Sequence, residues 1–458
     1  MLLLNNAPFK IKTNHQSKLN IMRITITTVL LLWVTTCFTQ SFNHQKMDSL
    51  LDILETNNKF MGSITLSHNG KTIYSNSVGY AQISDSLKAD SLTRYRIGSI
   101  SKVFTATLVL KAAEEGKLTL ETSLSKYFPQ VQHSDSITIE NLLNHSSGIY
   151  DFTLDKDYLG WNTSFQSRQA MLRRITEGSP EFNPGTKNKY SNSNYLLLSF
   201  ILEDIYDKDF GEILKMKIIV PAGLDHTSYG GKIKSKDNEA ASYSYLGSWE
   251  KESETDLSIP QGAGGIISTA QDLNKFMEHL FAGKLISEAS LDKMTNFKNG
   301  FGMGLFKFPY DEKLCYGHTG GIDGFRSESI YFPEEKLAVS LLSNALNYNR
   351  NDILLAALAN YFHKSFDLPK FEKIMVSAKD LKEITGTYSS TEIPPKITIS
   401  HKENVLIAQA TGQSAFPLKS ISKTSFTYEQ AGIELVFNPD KNSMLLKQGG
   451  GEFHFEKE

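Results

Sequence analysis

Apolar and polar positions alternate near the start and near the end of the main part of the chain, which predicts β-strands there. The segment 62–74 alternates around Asn69-Gly70. Asn-Gly is the strongest two-residue hairpin signal, because both residues tolerate positive φ. Two more strands are predicted at 326–332 and 337–342, on either side of a Pro-Glu-Glu-Lys turn.

The middle of the chain is mainly helical. Segments 100–113 and 195–205 are apolar almost all round, and helices of that kind belong inside a large core. Segment 352–362 has helical periodicity. Strands on either side of a helical middle predict an α/β (α+β) fold, with an antiparallel sheet flanked by helices and a helical subdomain beside it.

The pattern divides the chain into successive parts. A first domain is predicted over 45–365, followed by a linker over 366–376, where periodicity is lost and Pro369 occurs. From 377 to 458 a short helix precedes brief alternating runs that are separated by turn residues. This last pattern predicts a small β-barrel or β-sandwich.

The N-terminal residues 1–39 have the features of an export signal. Four basic residues and no acidic one precede an apolar run at 24–34, which is shorter than the ~20 residues of a membrane-spanning helix. Small residues follow the run, and Met22 is an alternative start. The protein is therefore expected to be exported, either periplasmic or secreted. An uncleaved membrane anchor and a lipoprotein acylated at Cys37 are the alternatives.

Composition excludes several classes of protein. The 458 residues include 48 basic and 50 acidic ones, for a net charge of -2, so nucleic acid is not an expected partner. A membrane contact is expected only through an uncleaved N-terminal segment. HExxH, Walker, GxSxG and dinucleotide-binding motifs are absent from the sequence. Cys315 and His318 have the spacing of half a zinc site, but no second pair completes it, so neither a metal nor another cofactor is expected.

The first candidate for chemistry is Gly98-Ser99-Ile100-Ser101-Lys102, at the head of a predicted buried helix. A serine and a lysine three residues apart share one helix face. Lysine can take the serine proton when burial or a nearby cation lowers its pKa. Ser-x-x-Lys occurs five times in the chain, but this copy alone opens a long apolar helix. The alternative interpretation of Ser99 is a helix cap.

Two further groups follow along the chain. Tyr190 and Asn192 lie on a predicted turn before the second apolar helix; the alternative is a tyrosine that merely packs on the core. Gly317-His318-Thr319-Gly320-Gly321 immediately precedes a predicted strand. Its glycines permit close approach of a ligand to backbone N–H groups, and the alternative is a plain glycine turn.

The order Ser-x-x-Lys, Tyr-x-Asn, His-Thr-Gly resembles the serine β-lactamase and penicillin-binding-protein superfamily, especially the branch of class C β-lactamases, DD-peptidases and family VIII esterases. Segments 95–98, 142–148 and 264–269 carry additional local similarity. The resemblance covers roughly residues 50–362 and implies a β-lactamase/transpeptidase-like fold. The C-terminal part, through Leu381 and Gly386-Thr387, resembles the lipocalin-like barrel that is appended to many such hydrolases.

The resemblance also implies roles for the matching residues. Ser99 is the residue expected to be acylated, and Lys102 and Tyr190 are expected to handle its proton. Asn192 is expected to hold a substrate amide. His318, Thr319, Gly320 and Gly321 would line the substrate site, with the N–H groups of Ser99 and Gly321 as an oxyanion hole. His145 is interpreted as a structural residue that closes a short helix capped by Thr138.

One position departs from the β-lactamases of this branch, which usually have lysine where His318 stands. A histidine with the ordinary pKa of ~6.5 is mostly neutral at pH 7, so a substrate carboxylate is attracted less. The leading hypothesis is therefore an exported serine hydrolase that acts through an acyl-enzyme on a peptide, amide or ester, as DD-peptidases, D-aminopeptidases and esterases do. The substrate is expected to be a small molecule or a peptide, and a peptidoglycan peptide is one candidate. A true β-lactamase and an inactive binding or scaffold protein are the alternatives.

Overall fold

The computed structural model describes residues 42–371, 376–428 and 431–458. The predicted export region, 1–39, lies outside the described residues, and so do residues 372–375 of the predicted linker. Within the described ranges, no helix has the length and apolar character needed to cross a membrane.

The helices, in chain order, are α1 (His44–Thr56), α2 (Ser101–Glu114), α3 (Ile139–Leu143), α4 (Tyr158–Trp161), α5 (Arg168–Glu177), α6 (Asn192–Tyr206), α7 (Phe210–Leu214), α8 (Val220–Ala222), α9 (Ala270–Phe281), α10 (Glu288–Met294), α11 (Arg350–Tyr361) and α12 (Ala378–Ile384). The strands of the first part are β1 (Phe60–His68), β2 (Lys71–Val78), β3 (Tyr80–Gln82), β4 (Leu87–Lys88), β5 (Tyr95–Arg96), β6 (Ser228–Tyr229), β7 (Tyr243–Tyr245), β8 (Trp249–Lys251), β9 (Ile266–Ser268), β10 (Phe306–Tyr310), β11 (Lys313–Ile322), β12 (Phe325–Phe332) and β13 (Leu337–Leu346). Those of the last part are β14 (Gly386–Ser389), β15 (Ile397–Lys402), β16 (Val405–Ala410), β17 (Phe416–Ser420), β18 (Ser425–Tyr428), β19 (Ile433–Asn438), β20 (Ser443–Gln448) and β21 (Gly451–Lys457).

The main sheet brings the two ends of the first part together. Its strand order is β10-β11-β12-β13-β1-β2, with antiparallel pairing throughout this path. The predicted Asn69-Gly70 hairpin joins β1 to β2, and both residues have positive φ. The predicted antiparallel sheet with flanking helices is thus confirmed.

Strand β1 is buried on both faces, although its sequence alternates apolar and hydroxyl side chains. Ile64 and Leu66 pack in the core formed with α1 and α11. On the other face the hydroxyls have partners: Ser63 shares a hydrogen bond with the Tyr95 hydroxyl at 2.8 Å, and Ser67 donates to Glu278 Oε1 of α9 at 2.6 Å. Small hydroxyl residues therefore let α9 approach the sheet without leaving buried polar groups unpaired.

The predicted helical middle is also confirmed. Helices α2 and α6 are buried on nearly every side and belong to the largest core cluster. The rings of Phe104 in α2 and Phe276 in α9 stack with centroids 3.6 Å apart. This stack joins the helix that follows Ser99 to the helix that covers the main sheet.

The C-terminal strands β14 to β21 close into an eight-stranded antiparallel barrel, as the sequence predicts. Its interior is filled by apolar side chains that include Tyr388, Phe426 and Phe455. Leu381 and Ile384 of α12 pack into the same cluster, so the barrel is a packed core.

The barrel touches the first part beside the hairpin β7–β8. The carbonyl oxygen of Lys402 lies 3.1 Å from the position that a Cβ on Gly247 would take. Lys402 also forms an ion pair with Glu250. Gly247 has φ +89°, so both the turn and the close approach favour glycine at this point.

Replacing Phe276 by alanine is expected to lower the free energy of unfolding by about 3–5 kcal/mol, because the change removes a buried ring and leaves a cavity beside Phe104. The matched control is Leu355→Ala on α11, where the leucine is 48% exposed and the expected loss stays within about 0.5 kcal/mol. Urea unfolding of both variants measures the difference. Equal losses would contradict the proposed importance of the α2–α9 stack.

Candidate active site

Ser99 lies on a short 3-10 turn, Gly98–Ile100, between β5 and α2. The sequence predicts it at the head of the helix, and the structure places it just before the first residue of α2, Ser101. Gly98 has φ +51°, and a Cβ there would lie 2.7 Å from the backbone nitrogen of Gly321. Glycine at 98 therefore lets the turn carrying Ser99 pack directly against strand β11.

Lys102 points from the first turn of α2 to three oxygen atoms. Its Nζ donates to Ser99 Oγ at 3.0 Å, to Asn192 Oδ1 at 2.8 Å and to the carbonyl oxygen of Ala263 at 2.8 Å. The side chain is fully buried. The site thus brings Asn192 and Ala263, which lie far away in the sequence, to the neighbouring residues Ser99 and Lys102.

Burial lowers the pKa of Lys102 to about 7, and the charge of Asp151 opposes part of that effect. Neutral Lys102 is therefore abundant near neutral pH. A neutral amine has two hydrogens and one lone pair. When the two hydrogens go to the carbonyl oxygens of Asn192 and Ala263, the lone pair is left for the Ser99 hydroxyl, which can then donate to it.

Tyr190 lies just before α6, with its ring centroid 4.8 Å from Lys102 Nζ. Burial raises the pKa of Tyr190 well above its ordinary value, although a hydrogen bond with the Ser99 side chain partly opposes this. The phenol is therefore protonated in the resting site. Between the two candidate bases, burial favours the neutral amine of Lys102 and disfavours the phenolate of Tyr190.

His145 packs behind Tyr190. The two rings stack with centroids 4.5 Å apart, and His145 Nδ1 accepts a hydrogen bond from the Ser191 backbone N–H at 3.2 Å. His145 follows α3, which Thr138 caps, as predicted. Burial lowers the pKa of His145 well below its ordinary value, and the charge of Lys102 adds to the effect. His145 thus holds the Tyr190 loop as a neutral ring, in addition to closing α3.

The Gly317–Gly321 segment lies within strand β11, between β10 and β12, where the sequence predicts only a segment preceding a strand. A Cβ on Gly320 would lie 2.0 Å from the Ile97 carbonyl oxygen, so only glycine permits this contact with the Ser99 turn. The sequence does not reveal the strand because three of the five residues are glycine, which is uncommon in strands.

His318 is buried beside Phe306, with ring centroids 4.7 Å apart. Its Nδ1 lies 2.5 Å from the Thr319 carbonyl oxygen, so Nδ1 carries the hydrogen and donates it. Burial, and then the charge of Lys102, lowers the pKa of His318 to about 3. The imidazole is therefore neutral over the physiological range, as expected from the sequence, with burial as the main cause.

Asn192 is the first residue of α6, where the sequence predicts a turn. Its Nδ2 donates to Asp151 Oδ2 at 3.0 Å, opposite the Oδ1 that accepts from Lys102. Sequence reasoning missed Asp151. It comes three residues after the similar segment 142–148, but a single aspartate carries no signal of its own until the fold places it beside Asn192.

Cys315 is buried and has no disulfide partner in the part of the chain that the structure describes. Burial raises the pKa of this thiol to about 12, which disfavours the nucleophilic thiolate. No cluster of three or more potential metal-ligating side chains occurs in the described ranges. Within the described residues, the Ser99 site is therefore the candidate for catalysis.

Comparisons with known proteins give a consistent result. A family model described as beta-lactamase matches residues 58–362. The chain is 25% identical over 450 residues to Penicillin-binding protein 4* of Bacillus subtilis, covering 89% of this chain and 97% of that protein. It is 28% identical over 261 residues to the teichoic acid D-alanine hydrolase of Staphylococcus aureus, covering 55% of this chain and 60% of that protein. A D-stereospecific amidohydrolase from Streptomyces sp. has a similar fold, with a TM-score of 0.62, 24% identity, and coverage of 70% of this chain and 100% of that one.

The buried neutral histidines are expected to make stability depend on pH. The pKa values of His318 and His145 are lower in the folded protein than in the unfolded chain. Their contribution is therefore complete above about pH 6.5, and each loses about 1.4 kcal/mol per pH unit below it. For His318 the loss continues down to its folded pKa of about 3.

Free energies of unfolding at pH 7 and pH 5 measure this dependence. The variant His318→Gln is expected to lose less stability between the two pH values than the wild type does. The variant His454→Gln changes an exposed histidine of the barrel and serves as the matched control. A His318→Gln variant with the full wild-type dependence would show that His318 is not held neutral.

Proposed function

This chain belongs to the beta-lactamase family and is a serine hydrolase, and we propose that it cleaves amides, peptides or esters through an acyl-enzyme on Ser99. The observation that carries the proposal is the set of contacts around Lys102. A fully buried amine, with a pKa lowered to about 7, lies 3.0 Å from the Ser99 hydroxyl. A serine becomes nucleophilic when a base at this distance takes its proton.

Acylation follows from these contacts. Neutral Lys102 takes the Ser99 proton while Oγ bonds to the substrate carbonyl carbon, and the carbonyl oxygen becomes an oxyanion. The N–H groups of Ser99 and Gly321 are proposed to stabilise that charge. When the intermediate collapses, the bond to the leaving nitrogen or oxygen breaks, and the leaving group takes a proton from the Tyr190 hydroxyl. Tyr190 recovers its proton from the Lys102 ammonium.

Deacylation repeats these chemical steps with water as the nucleophile. Lys102, neutral again, takes a proton from a water molecule as its oxygen bonds to the acyl carbon. The new oxyanion collapses, the bond to Ser99 Oγ breaks, and the proton returns to Oγ. In this proposal no metal or organic cofactor takes part in either half-reaction.

Derivatives of D-amino acids are the proposed substrate class. The names of two proteins that this chain is similar to support it: one is a teichoic acid D-alanine hydrolase and the other a D-stereospecific amidohydrolase. A D-alanyl ester, a D-amino acid amide and a peptidoglycan peptide share the D-configured acyl residue. Among peptidase, amidase and esterase activity, the proposal is cleavage of the amide or ester bond formed by the carbonyl group of that residue.

His318 bears on the β-lactamase alternative. Because its imidazole is neutral, His318 offers a substrate carboxylate no cation, unlike the lysine of the related β-lactamases. A hydrogen bond to a charged group is worth about 1.5–3 kcal/mol, so its loss weakens recognition of a penicillin carboxylate. The alternative of an inactive scaffold protein is disfavoured because Ser99, Lys102 and Asn192 are present and in contact.

The proposed place of action is outside the cytoplasm. The basic residues and the apolar run within residues 1–39 support export, and polymers that carry D-amino acids, such as peptidoglycan, lie beyond the cytoplasmic membrane. A cleaved signal gives a periplasmic or secreted enzyme, and an uncleaved one gives an anchored enzyme.

The variant Ser99→Ala is expected to abolish covalent labelling by a fluorophosphonate, because it removes the hydroxyl oxygen that is proposed to form the covalent bond. Intact-mass analysis of protein that lacks residues 1–39 measures the adduct. The matched control is Ser123→Ala, since Ser123 begins another Ser-x-x-Lys and caps a short turn. Labelling of the Ser99→Ala variant at the wild-type rate would contradict the proposal.

The wild-type protein is expected to hydrolyse a p-nitrophenyl ester of D-alanine with a kcat/KM about 100-fold above its kcat/KM for nitrocefin, a difference of about 2.7 kcal/mol. The reason is the neutral His318 together with the proposed D-amino acid specificity. The L-alanine ester is the control for stereochemistry. Nitrocefin turnover that equals or exceeds turnover of the D-alanine ester would instead support a true β-lactamase.

A further inference from the structure

The Asn192 carboxamide makes different contacts at its two ends. Its Oδ1 accepts from Lys102 Nζ at 2.8 Å, and its Nδ2 donates to Asp151 Oδ2 at 3.0 Å. A carboxamide turned by 180° would present its N–H group to Lys102 and its carbonyl oxygen to Asp151. Which orientation is stable therefore depends on what Asp151 accepts or donates.

Asp151 is suited to fix that orientation because an ionised carboxylate only accepts hydrogen bonds. It is buried, with 6% of its surface exposed. Its Oδ1 accepts from the Thr153 backbone N–H at 3.1 Å and from Thr153 Oγ1 at 3.0 Å. These two bonds anchor the carboxylate to the 3-10 turn Phe152–Leu154, which Asp151 caps, and leave Oδ2 directed to Asn192.

The orientation of Asn192 matters for the base. With Oδ1 towards Lys102, both carbonyl oxygens around the neutral amine, those of Asn192 and Ala263, take its hydrogens, and the lone pair is left for Ser99. With the carboxamide turned, an N–H group would face Lys102 and would compete with Ser99 for the same lone pair. The turned state would thus remove the base from the nucleophile without moving Lys102.

We propose that Asp151 is a positioning residue of this site: it holds the Asn192 carboxamide with its oxygen towards Lys102, and so directs the Lys102 lone pair to Ser99. Asp151 acts through Asn192 and is assigned no contact with the reacting atoms. This inference rests on the proposed acyl-enzyme function, because it assigns the base that acylates Ser99.

The proposed orientation of Asn192 requires an ionised Asp151, and that charge has a second, measurable consequence for Lys102. The other titratable side chains that face Lys102 are His145, His318, Tyr190 and Tyr195. All four are neutral near pH 7, because burial lowers the pKa of the histidines and raises the pKa of the tyrosines. Asp151 is then the charged group that raises the pKa of Lys102 against burial. Removing its charge is expected to lower the pKa of Lys102.

The test compares three variants by their rate of fluorophosphonate labelling between pH 5 and pH 10. Asp151→Asn keeps an oxygen that can face Asn192 but removes the charge. Asp151→Ala removes both. Asp155→Asn is the matched control, since Asp155 lies on the same loop and pairs with Arg174 at 3.3 Å, outside the Lys102 contacts.

Both Asp151 variants are expected to move the acidic limb of the pH profile, which reports deprotonation of Lys102, to lower pH. The plateau rate is expected to fall about 100-fold in Asp151→Ala, because a misdirected base costs about that much. It is expected to fall less in Asp151→Asn. Asp155→Asn should match the wild type in both respects, and thermal unfolding establishes that each variant is folded.

An unchanged acidic limb in both Asp151 variants would overturn the inference, and so would a plateau in Asp151→Ala equal to that of the wild type. If wild-type Ser99 is not labelled at all, the proposed function fails instead. In that case the Lys102 titration in wild type and Asp151→Asn, followed by NMR at a 13C-labelled ε-carbon, still decides: equal midpoints overturn the inference, and a lower midpoint in the variant supports it.

Discussion

The burial of one amine, Lys102, determines what this site can do. An ammonium ion that is removed from water loses its hydration, and the surrounding protein replaces it only in part. The neutral amine is therefore favoured near pH 7, and its two hydrogens are taken by carbonyl oxygens that face it from two other parts of the chain. The same burial keeps His145 and His318 neutral and Tyr190 protonated. One physical constraint thus assigns the protonation state of every titratable ring around Ser99.

The fold supplies this burial by bringing distant segments together. Helix α2 is enclosed by the largest core cluster, and α6 and the Ala263 segment pack against it. Glycine at 98 and at 320 lets β11 lie against the Ser99 turn, where a Cβ at either position would meet backbone atoms. The main sheet holds β11 in register with β12. The geometry of Ser99, Gly321 and Lys102 is therefore a consequence of backbone packing, and the side chains add the chemistry.

Much of the fold could be predicted from the periodic pattern of apolar and polar residues, because that pattern is pronounced in several segments. The Asn69-Gly70 hairpin, the all-apolar helices and the evenly spaced C-terminal strands each carry a local signal. Strand β11 could not be predicted in this way, because its glycines have no side chains to form an alternating pattern. Its stability comes from pairing with β10 and β12.

Site residues could be predicted from the sequence where the order of the motifs resembles a known family. A residue that belongs to the site only through its contacts in the fold could not be predicted. The motif residues lie together as their order implies: Ser99, Lys102, Tyr190, Asn192 and His318. Asp151 is identified only by its hydrogen bond with Asn192. The role of Lys102 as the base is tested most directly by its titration in the wild-type protein, followed by NMR at its ε-carbon. We expect a midpoint near the lowered pKa of about 7. A midpoint near 10.5, the ordinary value for lysine, would mean that Lys102 is charged at neutral pH and would contradict its role as the base for Ser99.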